Sequence, residues 1–178
     1  MSRRPLGEAA TDVPTHLDPV ASVRRPERAR GADEATPARL VLAVTGVAGA
    51  TAACADHGDA PTLRVVRAAH AEVADAAAAA GGTVVKALGD GLLLAFPAER
   101  AREAVAALRV ARERAGAVWR AFDARCEVQV RATVGTVLRG PLGPPGDARP
   151  DVYGDALNRL FKVPPAPLAL TPELEALL

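Results

Sequence analysis

The pattern of apolar and polar positions predicts alternating helices and strands along most of the chain. A short apolar run at 40–44 has the composition of a buried strand, and a helical pattern begins after Thr51. Apolar residues recur at helical spacing from Pro61 to Ala80 and again from Ala101 to Trp119. Strict alternation from Glu127 to Leu138 predicts a strand.

A glycine-flanked turn separates two apolar runs near the middle of the chain. The runs 83–88 and 91–96 surround Gly89-Asp90-Gly91, which is the local pattern of a tight β-hairpin. Gly81 and Gly82 end the preceding helix and lead the chain into this hairpin. The pattern therefore predicts a helix followed directly by two paired strands.

The C-terminal part of the chain has shorter elements. The glycine- and proline-rich stretch 140–146 predicts a loop that is neither helix nor central strand. A short strand is expected at 151–153 and a short helix at 155–162, ended by prolines. One more short strand at 168–170 precedes a last helix that Thr171 caps.

Composition places the protein among globular chains without an obvious nucleic-acid or membrane partner. Its 178 residues are 49% hydrophobic but 3% aromatic, which predicts one domain with a core of Ala, Val and Leu. The proline-rich residues 1–38 are expected to form a flexible N-terminal arm, leaving residues 39–178 as the domain. A net charge of +1 gives no basic patch, and no apolar run reaches bilayer length or follows the N-terminus as a signal peptide. A cytoplasmic protein is expected.

Two cysteines are too few for a disulfide framework or a zinc site. Cys54 and Cys126 both lie among small or apolar residues, so buried free thiols are expected.

The hairpin carries the first candidate chemistry. Lys86 and Asp90 are four residues apart, and alternation along a strand directs both to one side of the hairpin. A carboxylate and an ammonium beside a tight glycine turn could hold a metal ion and a polar ligand. The structural alternative is that Asp90 serves the turn and Lys86 points to solvent.

Two motifs give a resemblance to a known family. The stretch GGTVVKALGDGLLLAF at 81–96 looks like the central hairpin of class III nucleotidyl cyclases, the adenylate and guanylate cyclase catalytic domains. The stretch DVYGDALN at 151–158 is similar to that family's D-x-[WYF]-G-[DN]-x-[VL]-N segment. The resemblance covers about residues 39–178. It implies an α/β sandwich with a ferredoxin-like class III cyclase fold, trimmed at the C-terminus.

The resemblance also implies roles for five residues. In the family, two divalent ions, Mg²⁺ or Mn²⁺, promote attack of a ribose 3′-hydroxyl on the α-phosphorus of a nucleoside triphosphate. Asp90 matches the second metal-binding aspartate, while Lys86 and Asp151 match the pair that reads the base. A lysine donor with an aspartate acceptor suits adenine, so ATP is the favoured nucleotide. Asn158 matches the residue that orients the ribose, and Lys162 stands where the family has a phosphate-binding arginine.

Two positions depart from the family pattern. The first metal-binding aspartate falls on Gly46, and no acidic residue lies between Arg39 and Cys54 to replace it. Lys162 keeps a positive charge but lacks the planar fork of arginine. The metal side of the site is therefore depleted, whereas the base-reading side is mostly present.

These departures leave two functional hypotheses. The first is a degenerate cyclase-homology domain, a pseudoenzyme that binds a nucleotide or a partner in a regulatory role. The alternative is an active adenylate cyclase that converts ATP to cyclic AMP and pyrophosphate. Because family sites form between two subunits, the resemblance implies a homodimer, or a heterodimer with another cyclase domain.

Overall fold

The computed structural model describes residues 35–144 and 146–178. The described chain forms six strands, five α-helices and a single 3₁₀ turn before the third helix. The elements in order are β1 Thr36–Ala48, α1 Ala50–His57, α2 Asp59–Ala79, β2 Thr83–Leu88, β3 Gly91–Pro97, α3 Ala101–Phe122, β4 Glu127–Leu142, β5 Arg149–Tyr153, α4 Asp155–Lys162, β6 Ala169–Leu170 and α5 Pro172–Glu175. The predicted elements are present, and the first helical stretch is divided at Gly58, whose positive φ of 87° separates α1 from α2.

The strands form one sheet in the order β2-β3-β1-β4-β5, in which all these neighbours are antiparallel. The short strand β6 pairs in parallel with β4 at Arg131 and Ala132. The centre of the sheet is β1, which pairs with β4 along its whole length. The predicted α/β sandwich is therefore confirmed, and its sheet is antiparallel except at β6.

The two faces of the sheet bury different groups of residues. Helices α2 and α3 cover one face, where the buried side chains of Phe96, Leu108 and Trp119 belong to the larger core. Helix α4 packs on the other face, where Leu160 joins Leu42 and other strand residues in a smaller core. The core contains mostly Ala, Val and Leu, as the composition predicts.

One predicted loop is in fact partly strand. We expected a loop over 140–146, but β4 continues to Leu142 and pairs with β5, with Pro141 opposite Pro150. At this point β4 has passed the first residue of β1, Thr36, which pairs with Arg139. Because β5 is then its only strand neighbour in the described chain, β4 tolerates a proline that cannot donate a hydrogen bond. The loop is confined to the turn between β4 and β5.

The N-terminal arm predicted for residues 1–38 lies mostly outside the described residues. Thr36, Pro37 and Ala38 already belong to β1, so the sheet begins before the predicted domain boundary. No helix in the described part of the chain is both long and apolar enough to cross a membrane. Both cysteines are free thiols, Cys126 buried and Cys54 partly buried, and burial raises the pKa of the Cys126 thiol.

Candidate functional site

An ion pair connects two strands that lie at opposite edges of the sheet. Lys86 on β2 donates to Asp151 on β5 with an Nζ–Oδ2 distance of 2.6 Å. These strands are the first and last in the order β2-β3-β1-β4-β5, so the sheet must curl strongly for their side chains to meet. The structure therefore brings together the two residues that the sequence assigns to base recognition.

The two partners of this ion pair differ in their exposure. The Asp151 side chain is 13% exposed, and its other oxygen, Oδ1, accepts a 2.8 Å hydrogen bond from the backbone N–H of Val152. The Lys86 side chain is 41% exposed, so its ammonium can still donate to a ligand. A cavity of about 380 Å³ opens beside Asp151, between the hairpin and the β4–β5 pair. Its lining combines apolar side chains with Thr83, Arg139 and Arg149.

The carboxylate of Asp90 is bound to the end of β1. Its Oδ2 accepts a 2.7 Å hydrogen bond from the backbone N–H of Val47, and Leu92 N–H donates to Thr45 Oγ1 at 2.9 Å. Gly91 makes this close approach possible, because a Cβ there would lie 1.9 Å from the carbonyl oxygen of Thr45. Asp90 therefore clamps the hairpin tip onto β1, next to Gly46.

The side chains around the hairpin tip do not fit a two-ion centre. Asp90 supplies one carboxylate, and Gly46, which stands at the place of the family's other aspartate, has no side chain. Within residues 35–144 and 146–178, no three His, Cys, Asp or Glu side chains are grouped so that they could hold a metal ion. A hypothetical Cβ at Gly46 meets no atom within 4 Å, so the space for a side chain exists.

Asn158 and Lys162 lie on the exposed side of α4. This helix buries Ala156 and Leu160 against the sheet, and its positions 158 and 162 are exposed. Neither side chain has a hydrogen bond or ion pair to Lys86 or Asp151 in the described chain. The five predicted site residues thus fall into three places: the ion pair, the hairpin tip and the outer side of α4.

Replacing Asp90 tests its role in the clamp. We expect Asp90→Ala to lower the free energy of unfolding by about 1–2 kcal/mol, because Val47 N–H loses a charged acceptor. Asp90→Asn keeps an oxygen acceptor and should lose less. Urea unfolding followed by the fluorescence of the single tryptophan, Trp119, measures both. Equal losses in the two variants would contradict a hydrogen-bonding role.

Sequence reasoning missed a polar cluster at the C-terminal end of α3. Asp123, which ends α3, accepts hydrogen bonds from the backbone and the guanidinium of Arg125 and lies 3.3 Å from His57 Nε2. Arg125 also pairs with Asp56 on α1. The cluster joins α1, α3 and the start of β4. Only the Asp-Ala-Arg spacing at a helix end could have indicated it.

This cluster predicts a loss of stability in acid. The hydrogen bonds from Arg125 hold the pKa of Asp123 far below its ordinary value, although burial opposes them. A carboxyl group whose pKa is depressed on folding contributes stability above its unfolded pKa of about 3.9, and loses that contribution as the pH falls below it. We therefore expect the free energy of unfolding to decline from about pH 5 downward.

Asp123→Asn should flatten this pH dependence, since the substituted side chain does not titrate. Asp75→Asn, which removes an exposed carboxylate on α2 that has no ion pair in the described chain, is the matched control. Urea unfolding at a series of pH values measures the effect. The same slope in wild type and Asp123→Asn would show that the cluster does not determine acid stability.

Comparison with known proteins found similar folds among solved structures but no similar sequences. The sequence matches no protein-family profile and no curated protein sequence. Among solved structures, the adenylyl cyclase CyaB from Pseudomonas aeruginosa matches with a TM-score of 0.73 and 17% identity over 81% of this chain and 82% of that chain. A bacterial light-regulated adenylyl cyclase matches with a TM-score of 0.70 and 16% identity, over 82% of this chain and 46% of that chain. A class III adenylyl cyclase-like ATP-binding protein from Pseudomonas aeruginosa matches with a TM-score of 0.66 and 16% identity, over 79% of this chain and 35% of that chain.

At these identities the likeness concerns the fold. The chain has the fold of class III nucleotidyl cyclase domains, as the two motifs predict, and both adenylyl and guanylyl cyclases are among the similar structures. It spans about half the length of the light-regulated cyclase.

Proposed function

We propose that this chain is a degenerate class III nucleotidyl cyclase-like domain that binds a nucleotide, or a partner domain, in a regulatory role. The observation that carries the proposal is the hairpin tip, where the carboxylate of Asp90 is already bonded to Val47 N–H and the neighbouring Gly46 supplies no second carboxylate. A single carboxylate gives Mg²⁺ or Mn²⁺ fewer protein ligands than a two-ion reaction requires. The likeness to an ATP-binding cyclase-like protein agrees with this role.

ATP is the nucleotide that the base-reading pair favours. Lys86 can donate to an acceptor nitrogen of the adenine ring, while Asp151 can accept from the exocyclic amino group. Guanine presents a carbonyl and a protonated nitrogen at the corresponding edge, and these suit the pair less well. The ion pair between Lys86 and Asp151 keeps both groups in place before a ligand arrives.

A second candidate is an active adenylate cyclase, as a homodimer or as one half of a heterodimer. The observation that favours it is that Lys86, Asp151 and Asn158 are present, and that Lys162 keeps the positive charge of the family arginine. The first two would read the base, Asn158 would orient the ribose and Lys162 would neutralise charge on the phosphates. In a heterodimer, the partner would supply the carboxylates that this chain lacks.

The test is product formation from ATP and GTP by the purified chain with Mg²⁺ and with Mn²⁺. The regulatory proposal predicts nucleotide binding by calorimetry without cyclic nucleotide or pyrophosphate. Turnover that Asp90→Asn abolishes would instead establish the active enzyme. Asp90→Asn is the better control, because Asp90→Ala also removes the clamp on β1.

A mixing experiment distinguishes an active heterodimer from the regulatory role and from an active homodimer. The chain is combined with a cyclase domain that keeps its two metal aspartates but has lost its base-reading pair. Activity that appears only in the mixture, and disappears with Lys86→Ala, would favour the heterodimer. An inactive mixture in which the two domains associate would favour the regulatory role.

A further inference from the structure

A recess rich in arginine lies between α3 and the start of β4, and none of its lining residues belongs to the Lys86–Asp151 ion pair or its cavity. It has a volume of about 270 Å³ and is lined by Arg109, Arg112, Glu113, Arg120, Glu127 and Val128. In the described part of the chain, no ion pair or side-chain hydrogen bond connects these three arginines to an acid. The three guanidinium groups outnumber the two glutamates of the lining, so the recess has an excess of positive charge that favours a negative ligand.

A glycine on α3 allows one of the arginines to lie close to the helix. A Cβ at Gly116, one turn before Arg120, would be 2.8 Å from the Arg120 guanidinium nitrogen Nη1. The guanidinium therefore lies against the helix surface at Gly116, although the residue as a whole is exposed. This position keeps its charge beside the recess.

Beside the recess, the edge of β4 is open in the sense that no strand of the described chain pairs with it. On the side of β4 opposite β1, β6 pairs only at Arg131 and Ala132, and β5 pairs only from Leu138 onward. Among residues 35–144 and 146–178, no strand pairs with this side of β4 between Glu127 and Val130. An edge of this kind can accept an added strand through its backbone groups.

The open edge of β4 and the arginines together indicate which kind of partner segment this surface can bind. A strand added beside β4 directs every second side chain toward the face that α3 covers, as Val128 and Val130 already do. Arg109, Arg112 and Arg120 lie on that side of the sheet. We infer that this surface binds an extended acidic segment of a partner protein, with Asp or Glu at alternate positions.

The acidic residues of the recess provide a second test, because removing their charge should change the binding affinity in the opposite direction to removing the arginines. Glu113 and Glu127 lie beside the same three arginines and oppose a negative ligand. Removing their charge should therefore strengthen binding of an acidic segment, whereas reversing the arginine charges should abolish it. A surface that acts through its shape alone would respond to neither change in this way.

The probe is a fluorescein-labelled peptide of about nine residues with Glu at every second position and Thr or Val between. Fluorescence anisotropy with the full chain measures its affinity. We expect Arg109→Glu/Arg112→Glu/Arg120→Glu to weaken binding at least about tenfold. Glu113→Gln/Glu127→Gln should tighten it severalfold, and an ionic strength of about 1 M, where the Debye length is about 3 Å, should weaken it.

Two controls separate the recess from general charge effects. Arg114→Glu changes an exposed arginine of the same helix that does not line the recess and should leave binding unchanged. A peptide with Lys in place of Glu should not bind. Trp119 fluorescence verifies that each variant is folded, since this side chain is fully buried on α3.

The inference is overturned if the acidic peptide does not bind at low ionic strength. In that case the arginines shield the edge against association instead of recruiting a partner. It is equally overturned if Arg114→Glu weakens binding as much as the triple variant does. Neither result depends on whether the chain binds or converts a nucleotide.

Discussion

Gly46→Asp is expected to add a second carboxylate to the hairpin tip and so to strengthen metal binding there. The new carboxylate would stand beside Asp90, and the open space around Gly46 can accept its first side-chain atom. Opposite unit charges about 4 Å apart attract by about 4 kcal/mol at an effective dielectric constant of 20, part of which the repulsion between the two carboxylates offsets. We expect Mn²⁺ to bind the variant at least about tenfold more tightly than wild type, corresponding to about 1.4 kcal/mol.

Two measurements that do not require catalysis check this result. Electron paramagnetic resonance titration of free Mn²⁺ gives the affinity directly. Thermal unfolding gives a second value, since Mn²⁺ should raise the melting temperature of Gly46→Asp but not that of wild type. Cyclic AMP formation by the variant but not by wild type would in addition show that turnover requires a carboxylate at position 46.

The matched control is Gly46→Asn, which has nearly the same size and no charge. Equal Mn²⁺ affinities for Gly46→Asp and Gly46→Asn would contradict the prediction. If Mn²⁺ binds Gly46→Asp tightly but no product forms, turnover would require a change at another position as well, and Lys162 is the next to exchange for arginine.

Substitutions in the Lys86–Asp151 pair should have the next largest effect, which is a loss of nucleotide affinity. Asp151→Asn keeps the shape of the side chain but replaces one acceptor oxygen by an amide that donates. A hydrogen bond to a charged group contributes about 1.5–3 kcal/mol, so ATP should bind this variant about tenfold to a hundredfold more weakly. Isothermal titration calorimetry with ATP and GTP measures the loss and any change of preference.

Exchanging the two charges separates base recognition from structural support. Lys86→Asp/Asp151→Lys can rebuild the contact between β2 and β5, so stability should recover relative to the single variants. The donor and the acceptor are then interchanged, and ATP affinity should stay low. An exchanged variant that binds ATP like wild type would show that the pair only supports the sheet. Arg114→Met, which removes an exposed charge on α3 that does not line the cavity beside Asp151, is the control for a general charge effect.

Local patterns were sufficient to predict most elements of this fold. The alternation of Glu127–Leu138 and the helical spacing of Ala101–Trp119 correspond to β4 and α3, because both depend on contacts between residues near in sequence. Within the predicted loop 140–146, residues 140–142 are strand, because local composition cannot reveal that β5 pairs with them. Whether a proline fits a strand depends on which neighbour needs its N–H.

The sequence alone determined the types of residue available for chemistry: an aspartate in a glycine turn, a lysine in the preceding strand, and the missing acid at Gly46. Only the tertiary structure decided what these residues contact. Lys86 and Asp151 are 65 positions apart and meet because the sheet curls until its opposite edges approach. Asp90 bonds to Val47 because Gly91 lets the hairpin tip touch β1. Such contacts arise from the packing of distant segments, which no local pattern encodes.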